Sequence, residues 1–364
     1  QEDGCIVFHC DMSQYMNLTT VVEVTDFLIS VMAALNDAVL EKYGKDFSQR
    51  GFTQRLGDFL TQEVKVEDAS FKANIATLKL SLKNDPDFKR QLQQSLKGRA
   101  NQIVKQANDF AQEVVTFIRQ KSNDADLKVV LLVDSVEQIR GVGNEAQAVY
   151  QSVENLFSAH AENLQIPMIH ILYTIPPYTS ALAPGVARTL GGNPVQTLPS
   201  IHVRTRDGSD DPQGLQIMFD IVKKRCNEVE SFLTIEQVHD LARFSGGDLR
   251  NFFRFIRQCL VKAMSSFGFP LPLDNRLLIK AINQFRREMM IAHDDLKWLR
   301  LIDESSDHQL TSQEALAQFA RFLDGGLVLN YRNGEDWYGV NPLLREQLLK
   351  APMPEPEPKQ QTAD

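Results

Sequence analysis

The feature that most constrains the fold is an apolar run, Lys128–Val133, which ends at an acid, Asp134. Five consecutive apolar residues follow Lys128. A run of this kind predicts a strand with both faces in a core, as parallel sheets require. In open α/β sheets, ligands bind outside the carboxyl ends of the strands. We therefore expect Asp134, and the second acid Glu137 shortly after it, to lie at a ligand-binding edge.

Length, charge and cysteine usage narrow the class of protein. The chain has 364 residues and is 43% hydrophobic, which suggests two or three domains with ample core. Its net charge of −8 argues against a dedicated nucleic-acid or membrane-surface binder. We expect no membrane span, since no stretch approaches about 18 apolar residues, and we see no signal peptide. The four cysteines form no C-x-x-C pair, which indicates reduced thiols and a cytoplasmic location.

Further strands and helices are predicted on both sides of Asp134. One helix is predicted to begin near the caps Thr25 and Asp26, and another of about 20 residues follows Asp134. Strands and helices therefore alternate, which predicts a parallel sheet with right-handed crossovers. The other predicted strands are Cys5–Cys10, which ends at Asp11, Pro167–Tyr173, which ends at Thr174, and Ile201–Val203.

Residues 41–122 are longer than an ordinary connection. Alternating residues in Glu63–Val66 and Asn74–Leu82 predict a β-hairpin, and Asp85-Pro86 then opens one long helix with an apolar stripe. We interpret this region as an insertion standing off the core of the first domain, residues 1–212. The alternative is ordinary packing of the stripe onto the sheet.

The remainder is predicted to be helical and to end in a hairpin. Residues 213–270 give a helical lid in which Ser245-Gly-Gly-Asp248 separates two helices. Residues 271–350 give helices followed by an Asn333-Gly334 turn between apolar-alternating flanks, which suggests a winged helix. Residues 351–364 are rich in Pro, Glu and Gln and are expected to be disordered.

Three of these segments, in this order, resemble motifs of the AAA+ and STAND branches of P-loop ATPases, particularly origin-recognition-like members. Val129–Asp134 with Glu137 resembles the Walker B strand, Ile169–Thr174 the sensor 1 strand, and Ser245–Arg250 the sensor 2 motif. The resemblance spans about residues 5–260. It implies a parallel P-loop sheet of AAA+ type with a helical insertion, followed by an all-α lid and a winged helix.

The resemblance also implies roles for individual residues, with ATP and Mg²⁺ as cofactors. Asp134 would bind magnesium, directly or through water. Glu137 and Thr174 would act on the attacking water or the γ-phosphate. Arg250 would hold phosphate oxygens from the lid, although a helix-surface arginine paired with Asp248 or water is the alternative.

Candidates for an arginine finger that reaches a neighbouring subunit lie near the predicted last strand. Arg188 is the best of them, and Arg204 and Arg206 compete for the role. A solvated arginine is the alternative for each. Thr174 has an alternative too, as a cap on its strand before Pro176, and Glu137 as an acid favoured by a helix dipole.

Two features depart from the family pattern. Ser135 stands where many members carry a catalytic Glu, so fast hydrolysis is not expected unless Glu137 substitutes for that acid. No G-x-x-x-x-G-K-[ST] loop occurs, and Gly44-Lys45 is rejected as one because it follows a helix and precedes Asp46. We expect the phosphate loop and its strand on sequence preceding Gln1.

The function implied is an ATP-binding switch that assembles with copies of itself and controls a protein partner through the insertion or the winged helix. Replication, transposition and defence are the settings of the class. DNA is not favoured as a partner, since residues 271–350 carry 10 Lys/Arg against 12 Asp/Glu. The alternatives are a DNA-binding AAA+ adaptor and a nucleotide-free scaffold.

Overall fold

The computed structural model divides the chain into two compact units, Gln1–Val195 and Gln196–Asp364. It describes residues 4–47, 75–179, 185–192, 195–265, 271–289, 291–305 and 313–350. The predicted strand Glu63–Val66 and the tail 351–364 lie outside the described residues.

The first unit is built on a parallel sheet of three strands in the order β1-β2-β3. The strands are β1 (Cys5–Asp11), β2 (Lys128–Asp134) and β3 (Ile169–Tyr173). In the register, Phe8 lies beside Leu131 and Leu131 beside Ile171. The predicted parallel pairing of these three strands is therefore confirmed, apart from a later start of β3.

The prediction that both faces of this sheet are buried is wrong for the described residues. Every second residue of β2 is buried, and the residues between them are only half-buried. On the same open face, Val7 is 46% exposed and Leu172 is 63% exposed. The described helices cover only one face of the strands, which is why the apolar run does not produce two buried faces.

Helix α1 (Val24–Tyr43) packs against β1. Its N-cap is Glu23, two residues before the predicted cap Thr25, and the backbone N–H of Glu23 donates to Asp26 Oδ1 at 2.8 Å. The helix ends at Gly44, which has a left-handed φ of 67° and donates to Leu40 O. Gly44 is thus a helix C-cap, in agreement with the rejection of Gly44-Lys45 as a phosphate loop.

The region predicted as an insertion is helical where it is described. The strand predicted at Asn74–Leu82 is wrong, since α2 (Ile75–Asn84) is a helix. The long helix predicted from Pro86 is two helices, α3 (Pro86–Leu96) and α4 (Ala100–Ser122), separated at Gly98 with φ 77°. All three pack against α1, so they do not stand off the core. The apolar stripe of α4 is buried at Ile103, Ala107, Phe110, Ala111, Val114, Val115 and Ile118.

The connection after β2 is also less regular than predicted. Two short 3-10 turns, Val136–Gln138 and Gly143–Glu145, precede α5 (Ala146–Phe157) in place of one helix of about 20 residues. After β3, the described part of the first unit contains the four-residue helix α6 (Val186–Thr189).

The second unit opens with helices around their own core. These are α7 (Pro212–Arg225), α8 (Val229–Phe232), α9 (Ile235–Ser245) and α10 (Leu249–Met264). The strand predicted at Ile201–Val203 does not form, and only an isolated bridge joins Arg204 to Asp210. The segment is held instead by its backbone, because Ile201 N donates to Gly247 O and Val203 O accepts from Asp211 N.

The second unit continues with α11 (Asn275–Glu288), α12 (Asp295–Ser305) and α13 (Gln313–Asp324). An antiparallel hairpin follows, β4 (Val328–Asn333) and β5 (Glu335–Val340), and then α14 (Arg345–Lys350). The hairpin predicted around Gly334 is confirmed. Its inner face stacks Tyr331 on Trp337 at 4.2 Å between ring centroids.

No helix in the described ranges is long and apolar enough to cross a membrane. The four cysteines are all free thiols.

Candidate functional site

The carboxyl ends of the three parallel strands carry the polar residues of the candidate site. Asp11 ends β1 and lies in register beside Asp134, which ends β2. Thr174 follows β3 and extends the ladder, because its N–H donates to Val133 O at 3.0 Å. The parallel register therefore brings two carboxylates and a hydroxyl to one edge of the sheet.

Both oxygens of the Asp134 carboxylate are hydrogen-bonded within the chain. Oδ2 lies 2.9 Å from His9 Nε2, and Oδ1 accepts from the backbone N–H of Ser135 at 2.8 Å. Two hydrogen bonds lower the pKa of Asp134 below its usual value. The bond from His9 has the larger effect, and the bond from Ser135 has the smaller one. The carboxylate is 41% exposed. It is thus ionised, aimed by two donors and open to an incoming ligand.

Asp11 is a second ionised carboxylate at this edge. Burial raises its pKa, but hydrogen bonds from Ser135 and Ser13 outweigh burial and hold the pKa at about 2. The bond from the backbone N–H of Ser13 measures 3.0 Å. A negative charge at Asp11 opposes the charge on Asp134, so the pair favours a cation between or beside them.

Ser135 makes the turn out of β2. Its φ of 67° lies in the left-handed region, which a residue with a Cβ adopts at a cost. The residue is 7% exposed, and its Oγ accepts from Gln138 Nε2 at 3.2 Å. The hydroxyl also hydrogen-bonds to the Asp11 carboxylate, so it links the turn to the end of β1.

Glu137 and Thr174 meet across the turn, a contact that the sequence did not predict. Thr174 Oγ1 donates to Glu137 Oε2 at 2.6 Å. Gln138 Nε2 donates to Glu137 Oε1 at 3.3 Å. The strand cap offered as the alternative for Thr174 is present only as a long contact, 3.5 Å to Val133 O. Glu137 is thus positioned by two donors at the same edge as Asp134.

The arginine candidates fall in different places. Arg188 is exposed on α6 in the first unit, as an arginine finger has to be. Arg204 is wrong as a competitor, because it is only 7% exposed and its Nη2 donates to Val340 O at 3.1 Å inside the second unit. Arg206 is exposed on the turn that follows.

Arg250 is exposed on the first turn of α10, in the second unit. The Ser245–Asp248 loop before it has a clear local role. Asp248 caps α10 by accepting from Asn251 N at 2.7 Å, and Gly246 O accepts from Tyr331 Oη at 2.6 Å. The alternative prediction, an ion pair between Arg250 and Asp248, is not observed among the described residues. Within this unit, the loop joins α9 and α10 to the hairpin.

A metal ion would find few protein ligands at the sheet edge. Within the described residues, no group of three or more His, Cys, Asp or Glu side chains is arranged to hold one. Magnesium needs only one or two carboxylates when waters and phosphate oxygens complete its shell. Asp134, with Asp11 beside it, fits a magnesium ion held in that way and does not fit a cage made of protein ligands alone.

Sequence reasoning missed His9 and Gln138 and did not assign Asp11 to the site. One signal for Asp11 was available, since an acid at the end of a neighbouring parallel strand comes to the same edge as Asp134. The contact of His9 spans 125 positions in sequence and depends on the exact register of β1 on β2. No local sequence pattern predicts this contact between His9 and Asp134.

The fold and this edge define a mixed α/β protein whose parallel sheet ends in a cluster of ionised and hydrogen-bonded polar side chains. No protein-family model, curated protein or solved structure matches the chain.

Proposed function

We propose that the protein is a nucleotide-dependent switch of the AAA+/STAND type, which binds ATP with Mg²⁺ at the carboxyl edge of its parallel sheet. The observation that carries the proposal is the meeting of Asp134, Asp11 and the Thr174–Glu137 pair at that one edge. An open α/β sheet binds its ligand there. The order of the motifs along the sequence supports the nucleotide as that ligand.

The arrangement supports separate roles for the two acids of β2 and its turn. Asp134 would hold the magnesium ion, directly or through water, and His9, which lies 2.9 Å from Asp134 Oδ2, would orient that carboxylate. Glu137 orients a water molecule, and the hydroxyl of Thr174 fixes the carboxylate that does so. Ser135 cannot polarise water as a carboxylate would, so we expect turnover to be slow and the nucleotide state to persist.

The remaining roles follow the resemblance. Arg250 contacts phosphate oxygens, Arg188 reaches the nucleotide of a neighbouring copy, and the protein therefore works as a homo-oligomer. The helices within residues 41–122 or the C-terminal helices and hairpin, as a winged helix, contact a protein partner. The proposal requires a phosphate-binding loop, which no stretch of the printed sequence supplies.

The experiment compares ATP affinity, with and without Mg²⁺, for the protein expressed from its complete reading frame and for its variants. Asp134→Asn keeps the shape of the side chain and removes its charge, and we expect it to abolish the tightening that Mg²⁺ produces. Glu145→Gln removes an exposed acid in the same unit and should change nothing. Equal magnesium-dependent binding by Asp134→Asn and the unaltered protein would remove Asp134 from this role.

One observation favours a second candidate, the nucleotide-free scaffold. Both Asp134 oxygens already have donors within the chain, so the edge is satisfied without a ligand. Under this alternative, the protein from the complete reading frame binds no ATP, and Asp134→Asn changes stability alone. A DNA-binding adaptor is less well supported, because Arg332 at the hairpin tip is engaged by Asp336 at 2.8 Å.

A further inference from the structure

The solvent face of α10 carries a regular stripe of side chains. The stripe consists of Arg250, Arg254, Arg257, Val261 and Met264. These positions are separated by four, three, four and three residues, the spacing that aligns side chains along one face of a helix and recurs in helix–helix seams. We call these five residues the α10 stripe.

The α10 stripe points away from the core of the second unit. The buried residues of α10 lie on the other side, at Phe252, Phe255, Ile256, Cys259 and Ala263. Val261 is 49% exposed and Met264 is 77% exposed. The helix has four basic residues and no acidic one, so no residue of α10 itself offsets the positive charge of this face.

Neighbouring elements neutralise the stripe only weakly. Glu288 on α11 lies 4.0 Å from Arg254, whose Nη1 also donates to Asn251 at 3.3 Å. Arg250 and Arg257 have no ion-pair partner among the described residues. Arg225, at the end of α7, stacks on the ring of Phe253 at 4.3 Å and adds a further guanidinium to this side of α10.

The order of residues in the α10 stripe determines which kinds of partner can complement its whole length. Its first half is basic and its second half is apolar. A nucleic acid would match the arginines but would place phosphates against Val261 and Met264. A second copy would set arginines against arginines in parallel orientation, or against Val261 and Met264 in antiparallel orientation.

A helix with carboxylates along one half and apolar side chains along the other complements the whole stripe. Arginine binds a carboxylate through two parallel hydrogen bonds, and arginine and methionine are both enriched at protein–protein interfaces. We propose that the α10 stripe is a docking surface for an acidic amphipathic helix of a partner protein. The proposal does not rest on nucleotide binding, because Arg254 and Arg257 carry it and only Arg250 is shared with the proposed phosphate contact.

The test uses two synthetic helical peptides of about 20 residues, a length at which isolated helices become stable. Each presents Glu, Glu, Glu, Leu and Leu at the spacing of the α10 stripe, one in this order along the chain and one in the reverse order. Fluorescence anisotropy measures their binding to the full chain. We expect one order to bind and a peptide of the same composition in scrambled order not to bind.

Variants then assign the site while leaving Arg250 unaltered. Arg254→Glu with Arg257→Glu should weaken binding at least about tenfold, as expected for the loss of close charge pairs at an interface. The same protein should bind a peptide carrying Lys in place of Glu. Arg276→Glu with Lys280→Glu, an equal charge change at exposed positions of α11, should leave binding intact. Val261→Ser with Met264→Ser should also weaken it, and circular dichroism verifies that each variant is folded.

Three results would overturn the proposal. The first is that neither peptide order binds. The second is that the reversed-charge variant at Arg254 and Arg257 binds the Glu peptide as before. The third is that a random-sequence DNA duplex, or vesicles of phosphatidylcholine and phosphatidylserine, bind through Arg254 and Arg257 while both peptides fail. If ATP binding fails and peptide docking survives, the nucleotide proposal alone is lost.

Discussion

Thr174 donates a hydrogen bond of 2.6 Å to the carboxylate of Glu137, across two segments that follow different strands of one parallel sheet. The bond links the end of β3 to the 3-10 turn after β2. The orientation of the Glu137 carboxylate is therefore fixed by the end of β3 as well as by the turn that carries it.

This bond predicts an energetic coupling between its two residues. Thr174→Val and Glu137→Ala should each destabilise the protein, and together they should cost less than the sum, with a coupling of about 1 kcal/mol for one hydrogen bond. Urea unfolding of the two single variants and the double variant measures the coupling. Strictly additive effects would mean that the two side chains do not interact.

Lys89 and Asp26 predict a second coupling, at the interface of α3 and α1. The side chains are 2% and 1% exposed and their charged atoms are 3.3 Å apart. Lys89→Met alone leaves a buried carboxylate without its counter-charge and should cost about 3–5 kcal/mol. Adding Asp26→Asn should recover part of that loss, because the buried charge is gone. Urea unfolding is the measurement, and a double variant less stable than Lys89→Met would contradict the prediction.

Asp11 predicts a loss of stability in acid. Its pKa in the folded protein is about 2, below its ordinary value of 3.8. A carboxyl group with a depressed pKa contributes stability above its unfolded pKa and loses it as pH falls through the folded pKa. The stability of the protein should therefore fall between pH 3.8 and about 2. Asp11→Asn should flatten this part of a stability-against-pH curve, and an unchanged slope would be evidence against the hydrogen bonds to Asp11.

Gly247 predicts a strong local requirement for glycine. Its φ is 80°, and an added Cβ would lie 1.8 Å from Ile201 O. Gly247→Ala should therefore cost about 3 kcal/mol, the sum of a left-handed backbone and overpacking. Gly326→Ala is the matched control, since Gly326 also has a positive φ, 64°, but nothing within 4 Å, and it should cost about 1 kcal/mol. Thermal unfolding distinguishes the two, and equal losses would show that the close approach is not there.

The strands of the first unit could be predicted because their signal is local. Val129–Val133 is apolar at every position, and no helical pattern competes with a strand there. The segment around Leu80 and Leu82 was ambiguous, since its apolar residues fit either a strand or a helix. The structure buries Leu82 and leaves Leu80 58% exposed on α2, so packing against α1 decided the conformation.

The candidate site could be predicted in part, for the same reason. Asp134, Glu137 and Thr174 follow strands that local pattern identifies, and Glu137 and Thr174 do meet. Burial of Arg204 could not be anticipated, because its acceptor at Val340 lies 136 positions away. The left-handed turn at Ser135 was likewise hidden, since a serine gives no local sign of a positive φ.

The most direct test of the central claim is the dissociation constant of ATP for the protein from its complete reading frame, measured in Mg²⁺ and again in EDTA. The account predicts binding that is at least about tenfold tighter in Mg²⁺, equivalent to about 1.4 kcal/mol, with the difference lost in Asp134→Asn. An absence of ATP binding, or binding of equal strength in Mg²⁺ and EDTA, would contradict it.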